Sequence, residues 1–396
     1  MRHSIGPMRN GLRGRSARLG LTLAAATFMY AAPSPVHAKP PNGTFVTFDV
    51  PGGAFDTIVD GINPAGAVTG CTFDGTVNLG FVRAPNGAVT TIAVPGSTST
   101  FVGSECGGPA GPPINPAGAI VGSYTDIGGI THGFVRSPDG IFTRFDAPGG
   151  VNTDFVCCIT PAGAVAGISL DASYSVGHGF LRAPNGTFAM FDSPGSTFTA
   201  PTGINPEVAI SGVYFDANFI EHGFFRARDG TITTFDALGA VNGTEPHGIN
   251  PAGAIVGRYL DANFAEHGFL RAPDGNITIF DVPSSVPLDT SPVGINPAGA
   301  IVGTYNDETG THGFIRAPDG TFTTVDPPRS AATFALGINA AGAARETTST
   351  QQAARRTASY SSRISRRRGA KSPRYTVGSN KSSLRASQMV ALSIFG

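Results

Sequence analysis

Short apolar segments alternate with turns rich in Pro, Gly, Asn and Asp, and this pattern recurs about every 45 residues. One copy, at residues 241–281, reads VNGTEPHGINPAGAIVGRYLDANFAEHGFLRAPDGNITIFD. Its PAG, DAN and PDG segments are turn sequences, because Pro fixes φ and because Gly and Asn tolerate positive φ. Each copy therefore predicts four short strands separated by tight turns.

The second predicted strand of this copy is apolar on both faces. Ile255 and Tyr259 point to one side of AIVGRYLD, and Val256 and Leu260 point to the other. A sheet that is apolar on both faces must be covered on both faces. Small antiparallel sheets stacked in series satisfy this requirement, so the pattern predicts an all-β protein with the architecture of a β-propeller.

The ends of the repeat array predict how the ring closes. Residues 41–53, PNGTFVTFDVPGG, form a fourth strand without its own repeat, and residues 337–344, GINAAGAA, form a first strand without the rest. The array therefore predicts about seven four-stranded blades, with an N-terminal strand completing the last blade and that blade otherwise incomplete. A β-solenoid and a six-bladed ring are the alternatives.

Charge divides the chain into three regions. Residues 1–38 place five Arg before the apolar run LGLTLAAATFMYAA and end in VHA, which is typical of a secretory signal peptide. No later segment is apolar for long enough to span a membrane. We therefore expect a secreted protein, periplasmic or extracellular.

The mature chain contains an acidic repeat region and a basic tail. Residues 39–344 form the predicted propeller. Residues 40–344 contain ten Arg, no Lys and 26 acidic residues, which gives a net charge of −16. No nucleic-acid partner is expected. Residues 345–396 contain eleven Lys and Arg against one Glu. This tail is predicted to be disordered, while a role in holding an acidic partner and an origin in a translated frameshift remain open.

The repeated motifs GIN.AG.IVG.Y.D and HGF.R.PDG.FT.FD resemble the repeats of the HAF family of extracellular repeat proteins. The resemblance covers residues 40–344, with His-Gly-Phe here in place of the His-Ala-Phe that names the family. It implies a secreted bacterial protein and no particular activity. The first copy departs from the pattern because Leu79 replaces the His.

Four cysteines are available for disulfides after export. A Cys106–Cys157 bond, or one from Cys106 to Cys158, is favoured because these residues lie in equivalent segments between repeats, whereas a bond between the neighbours Cys157 and Cys158 would be strained. Buried free thiols are the alternative. No pair has the spacing of a zinc or redox site.

The His of each HGF motif and the Asp of each Y.D motif recur around the ring, which argues against catalysis, since a catalytic site needs unlike groups at one place. The His is predicted to bond structurally, with a neighbouring strand or the repeated Asp as partner, and the Y.D Asp is predicted to bond local turn amides. The Arg of HGF.R is predicted to pair with strand-end Asp residues such as Asp146 or Asp281. No metal site or cofactor is predicted.

Non-repeated ionisable residues are the better site candidates, and they lie in the segments that join one repeat to the next. These candidates are Glu105, Asp154, Glu245 and His247. All such segments are predicted to emerge on one face of the propeller, and a Glu245–His247 acid–base pair there is conceivable.

Two function classes fit these features. A secreted, non-catalytic recognition or structural module, monomeric and with an extracellular glycan or protein as ligand, is the prediction, because the chain has export signals and repeats but no catalytic spacing. The alternative is a propeller hydrolase or lyase that acts on a polysaccharide or cyclic compound through its joining segments.

Overall fold

The computed structural model describes residues 44–53, 57–104, 108, 111–173, 175–286, 289–350 and 388–394. These residues form β-strands joined by turns. No helix in this part of the chain is long and apolar enough to cross a membrane. The predicted signal peptide, residues 1–38, lies outside the described residues.

The strands follow the predicted repeats, four to a repeat. Before the first repeat comes β1, Thr44–Phe48. Repeats 1 to 3 contain β2 Thr57–Ile62, β3 Val68–Phe73, β4 Asn78–Arg83 and β5 Val89–Ile92; β6 Ser99–Val102, β7 Ile120–Thr125, β8 Thr131–Arg136 and β9 Phe142–Phe145; and β10 Asn152–Ile159, β11 Val165–Leu170, β12 Gly177–Arg182 and β13 Phe188–Phe191. Repeats 4 to 6 contain β14 Phe198–Ile204, β15 Ile210–Phe215, β16 Glu221–Arg226 and β17 Ile232–Phe235; β18 Gly243–Ile249, β19 Ile255–Leu260, β20 Glu266–Arg271 and β21 Ile277–Phe280; and β22 Thr290–Ile295, β23 Ile301–Asp307, β24 Gly310–Arg316 and β25 Phe322–Val325. The remaining strands are β26 Ser330–Ile338, β27 Ala344–Thr350 and β28 Gln388–Ile394.

These small antiparallel sheets form a β-propeller, so the predicted all-β fold is confirmed. The sheets differ from the prediction of about seven separate blades, since the described strands form five four-stranded sheets and one eight-stranded sheet. The larger sheet contains repeats 3 and 4, which are joined because Gly177 at the start of β12 pairs in parallel with Phe198 at the start of β14.

The terminal sheet has the strand order β1-β28-β27-β26. As predicted, the N-terminal strand β1 is its edge strand, and β1 pairs with β28 from Thr44 opposite Ile394 to Phe48 opposite Val390. The prediction of an incomplete last blade is wrong, because β28 occupies the place of the missing HGF strand. Backbone hydrogen bonds build a ladder, so an unrelated sequence can serve as its third strand. Within the predicted tail, residues 345–350 and 388–394 are thus in strands, while residues 351–387 and 395–396 lie outside the described residues.

The Asn of each GIN motif links its repeat to the next. Its Nδ2 donates to the main-chain oxygen at the same position of the following repeat in six places, at 3.2–3.5 Å: Asn63 to Asn115, Asn115 to Thr160, Asn205 to Asn250, Asn250 to Asn296, Asn296 to Asn339 and Asn339 to Asn63. The last bond joins residues 276 positions apart. The ends of the array therefore meet, which excludes the solenoid alternative.

The inner strands surround the axis, and the outer strands pack sheet against sheet. Ile and Gly residues of the GIN segments line a cavity of about 80 Å³ on the axis. The five Phe of the HGF.R motifs and their equivalent in the first repeat are fully buried between the sheets: Phe134, Phe180, Phe224, Phe269, Phe314 and Phe81. The Gly of IVG makes room for this ring, because a Cβ on Gly303 would lie 2.8 Å from Phe314 and 2.2 Å from the oxygen of Ser291.

Candidate functional site

The segments that join one repeat to the next lie at the same edge of the sheets as the turns between the second and third strands. The Thr98 amide donates to the Thr125 oxygen at 2.8 Å, the Thr197 amide to the Phe215 oxygen at 2.8 Å, and the Val241 amide to the Leu260 oxygen at 3.0 Å. We call this edge the joining face. It is the surface on which the sequence places the candidate site residues.

The repeated His residues also lie on this face, where each His bonds the Asp that ends the fourth strand. The Nδ1–Asp distances are 2.6–3.0 Å for His132–Asp146, His178–Asp192, His222–Asp236, His267–Asp281 and His312–Asp326. The Y.D Tyr packs on four of these imidazoles, with ring centroids 4.9–5.2 Å apart. The structural, hydrogen-bonding role predicted for the HGF His is confirmed.

The repeated Y.D aspartates bond local turn amides, as predicted. Asp261 accepts from the amides of Asn263 and Ala265 at 2.7 and 2.9 Å, and Asp216 makes the equivalent bonds in repeat 4. Three bonds to Ser173 and Ser175 and one to the amide of Val176 lower the pKa of Asp171 to about 2. These carboxylates therefore stay charged while they hold the turns.

The ion pair predicted for the Arg of HGF.R is wrong. The guanidinium lies over a Phe ring of the preceding repeat at 4.8–5.0 Å in four pairs: Arg182–Phe145, Arg226–Phe191, Arg271–Phe235 and Arg316–Phe280. The strand-end Asp is already bonded to His, and the Arg side chain instead crosses between sheets. The contact is a cation–π interaction that ties neighbouring repeats together.

The cysteine pairing also differs from the prediction. Cys157 is bonded to Cys158, and both residues are fully buried. The favoured Cys106–Cys157 bond is therefore wrong, and Cys106 lies outside the described residues. The register of β10 against β11 shifts between Asp154 and Cys158, so strict alternation fails at this point and neighbouring side chains can meet.

Two of the predicted site residues, Glu105 and Asp154, are not among the residues of the network described below. Glu105 lies outside the described residues. Asp154 is buried in repeat 3. Its Oδ1 accepts hydrogen bonds from the Phe155 amide at 2.8 Å and from Ser123 Oγ at 3.4 Å. Burial raises the pKa of Asp154, and these two bonds oppose the rise. This carboxyl is two repeats away from Glu245.

The structure brings Glu245 and His247 together on β18. The Nε2 of His247 lies 3.5 Å from Glu245 Oε1, and the Nδ1 of His247 lies 2.6 Å from the carbonyl oxygen of Pro292 in repeat 6, to which it donates. Only 1% of the His247 side chain is exposed. The imidazole therefore links two repeats through its Nδ1 and lies beside Glu245, and it is shielded from a ligand.

Arg258 extends this pair into a network. It is the cross-strand partner of Glu245, its Nε donates to Glu245 Oε2 at 2.7 Å, and its Nη1 donates to Glu266 Oε1 at 2.5 Å. Burial alone would raise the pKa of Glu245, but His247 and Arg258 together lower it to about 2. Glu245 is thus a fixed anion on the joining face.

Two further glutamates belong to this site, and the sequence interpretation missed both. Glu266 begins β20, and Glu221 begins β16 at the equivalent position of repeat 4. Burial raises the pKa of Glu221, and the charge of Glu245 raises it further. The signal in the sequence was the segment NFxEHGF, which occurs at residues 218–224 and 263–269.

We call Glu221, Glu245, His247, Arg258 and Glu266 the glutamate cluster. Three acidic side chains surround one Arg here, and their backbone positions lie on two adjacent repeats. At these positions other repeats have uncharged residues, such as Thr131 for Glu266 and Val213 for Arg258. No group of three His, Cys, Asp or Glu residues in the described ranges is arranged to hold a metal ion.

Comparison with known proteins identifies the architecture. No protein-family model matches the chain, and no curated protein matches it. Among solved structures it is similar to selenomethionine-substituted virginiamycin B lyase from Staphylococcus aureus, with a TM-score of 0.52 and 12% identity over 89% of this chain and 100% of that chain. It is also similar to a puromycin hydrolase, with a TM-score of 0.52 and 14% identity over 76% of this chain and 51% of that chain. A third similar structure is the β-propeller domain of the Trilobed protease from Pyrococcus furiosus, with a TM-score of 0.51 and 10% identity over 74% of this chain and 92% of that chain. At such identities the likeness concerns the fold alone, and that fold is a β-propeller.

Proposed function

We propose that this protein is a secreted, non-catalytic binding protein that holds its ligand on the joining face at the glutamate cluster. The observation that supports the proposal is the convergence of unlike ionisable side chains at one place on an otherwise repetitive scaffold. Because the GIN, HGF and FD residues are occupied in bonds and contacts within and between the repeats, this departure from the repeat is where selectivity can arise.

The cluster is suited to binding. Arg258 holds both Glu245 and Glu266, through its Nε and its Nη1 respectively. A ligand group that replaces water at such pre-ordered charges loses little conformational entropy. Export of the chain is part of the proposal and is supported by the sequence of residues 1–38.

A thermal-shift screen of the full mature chain against basic peptides, acidic peptides and neutral glycans tests the proposal. A ligand that raises the melting temperature of the native chain should lose its effect in Glu245→Gln. The matched control is Glu207→Gln, because Glu207 is 71% exposed and lies in the turn between β14 and β15 at the opposite edge of the sheet. If no ligand class shifts the melting temperature, or if both variants respond alike, the proposal fails.

The second candidate function is a hydrolase or lyase. It is supported by the opposite pKa shifts of two neighbouring carboxyl groups, Glu221 raised and Glu245 lowered to about 2. A carboxyl group with a raised pKa beside one with a lowered pKa is a common arrangement for acid–base work. The solved propellers described above include one named virginiamycin B lyase and one named puromycin hydrolase.

Mass spectrometry of virginiamycin B and puromycin incubated with the protein tests this candidate. Turnover that disappears in both Glu221→Gln and Glu245→Gln, and persists in Glu207→Gln, would favour the enzyme over the binding protein. Absence of turnover together with retained ligand binding would favour the binding protein.

A further inference from the structure

Four large apolar side chains are exposed on the joining face of repeats 4 and 5. The exposed fractions are 78% for Phe219, 80% for Leu238, 57% for Val241 and 70% for Phe264. Single exposed apolar residues are common on protein surfaces. What distinguishes these two Phe residues is the backbone that carries them.

Phe219 and Phe264 have left-handed backbones, with φ of 61° and 62°. Their turns match the turn of repeat 2, where Gly129 has a φ of 85°. In all three turns this residue's amide donates to the oxygen of the Asp three residues earlier, at 3.1–3.2 Å. Glycine adopts this conformation freely, whereas a bulky side chain is disfavoured in it. The fold would be served better by Gly, so the exposed rings point to a role outside the fold.

Each exposed Phe is followed two residues later by a member of the glutamate cluster. Phe219 precedes Glu221, and Phe264 precedes Glu266. The segment that carries Leu238 and Val241 runs between the two turns, from β17 to β18. Repeats 4 and 5 therefore present two copies of one apolar and acidic unit, with aliphatic side chains on the segment that joins them.

The charge of this surface is negative. Arg258 is the one Arg of the cluster, which contains no Lys, and it is already paired with Glu245 and Glu266. The strand-end residues Asp236 and Asp281 add two more carboxylates on the same face, with side chains 50% and 30% exposed. A complementary ligand is cationic, and Lys or Arg can also lie over an exposed Phe ring.

We propose that the joining face of repeats 4 and 5 binds a basic, amphipathic peptide segment of a partner protein. Apolar side chains of the peptide pack on Phe219, Leu238 and Phe264, and its Lys or Arg residues pair with Glu221 and Glu266. Charge complementarity favours this occupant over a neutral glycan, which gains nothing from the excess of carboxylates. The inference rests on the proposed binding function and names its ligand class.

Fluorescence anisotropy with a labelled peptide of alternating Arg and Leu tests the inference on the full mature chain. The double variant Phe219→Gly/Phe264→Gly should keep the circular dichroism spectrum of the native chain and have a melting temperature no lower than the native one, because Gly129 already occupies the same turn and Gly adopts its backbone freely. It should bind the peptide about tenfold more weakly, since two ring contacts are lost. Glu221→Gln/Glu266→Gln should also weaken binding and reduce its dependence on salt.

Ile127→Gly is the matched control, because Ile127 is 90% exposed in the equivalent turn of repeat 2. This variant should bind the peptide with the affinity of the native chain. Equal binding by the double Gly variant, or equal binding of a Glu-Leu peptide, overturns the inference. If the basic peptide does not bind while another ligand class binds and requires Glu245, the inference fails and the proposed function stands. If no ligand class binds, both fail.

Discussion

The Asn of the GIN motif makes two hydrogen bonds that can be removed separately. Asn205 is 3% exposed; its Oδ1 accepts from the Ala209 amide at 2.9 Å, and its Nδ2 donates to the Asn250 oxygen at 3.3 Å. The natural variation at Thr160 shows how to separate these bonds. Thr160 Oγ1 keeps the turn bond by accepting from the Ala164 amide at 3.0 Å, and Thr has no counterpart of the Asn Nδ2 group that reaches the next repeat.

Asn205→Thr should therefore lose the bond between repeats and keep the bond within the turn. The Asn250 oxygen retains a second donor, the Gly253 amide at 2.9 Å, so the expected loss is that of one ordinary hydrogen bond, about 1 kcal/mol. Asn205→Ala also leaves the buried Ala209 amide without a partner, and its total loss should be about 2–4 kcal/mol. The converse change, Thr160→Asn, should gain about 1 kcal/mol.

Urea unfolding followed by far-ultraviolet circular dichroism measures these differences, since the chain contains no Trp for fluorescence. Midpoints convert to free energies of unfolding through the m-value. The control is Asn185→Ala in an exposed turn, which should change the free energy by less than about 0.5 kcal/mol. Equal losses for Asn205→Thr and Asn205→Ala would refute the assignment of two separable bonds, and no gain for Thr160→Asn would refute the role of the bond between repeats.

Three further predictions follow from side-chain contacts. Arg226→Met should lower the free energy of unfolding by about 1 kcal/mol, because it removes a buried cation–π contact and keeps the length of the side chain. Arg228→Met is the control, because Arg228 is exposed. Equal losses in the two variants would contradict the reasoning. Burial would lower the pKa of His312, but its two Asp partners raise the pKa overall. The pKa of His312 is therefore higher in the folded state than in the unfolded state. The resulting stabilisation is present below about pH 6.5 and is lost as the pH rises through the folded-state pKa. His312→Gln should therefore reduce the stability advantage of pH 5.5 over pH 8, and an unchanged pH profile would argue against this role. Arg258→Met should raise the pKa of Glu245 from about 2, as an NMR titration of the carboxyl carbon would show; an unshifted titration would leave His247 as the sole cause.

The repeat pattern was sufficient to predict the strands and the propeller. Strand boundaries follow the PAG and PDG turns, and the roles of the HGF His and the Y.D Asp could be predicted because both are local or recur in every copy. The Arg of HGF.R was misassigned because its partner, such as Phe145 for Arg182, lies on another repeat. A motif within one repeat carries no information about which side chain of the neighbouring sheet it meets.

The candidate site was predicted in part. Glu245 and His247 could be selected from the sequence because they do not recur in the other repeats, and the structure places their side chains 3.5 Å apart. Glu221 and Glu266 were overlooked because they stand beside a conspicuous repeated motif, and Arg258 because it lies within a strand. Arg258 and Glu266 meet within the β19–β20 hairpin, whereas Glu221 joins them only when repeats 4 and 5 pack side by side.

The sequence by itself determined the period, the strand order within each repeat and the acidic charge of the ring, because these depend on local turn chemistry and on composition. Tertiary structure decided how the ring closes, through the bond from Asn339 to Asn63, and which strand serves as the third strand of the terminal sheet. It also decided the cysteine pairing and the members of the glutamate cluster. The physical reason is that ladder bonds, ring contacts and ion pairs depend on distances between residues far apart in the chain, and those distances are set when the sheets pack around the axis.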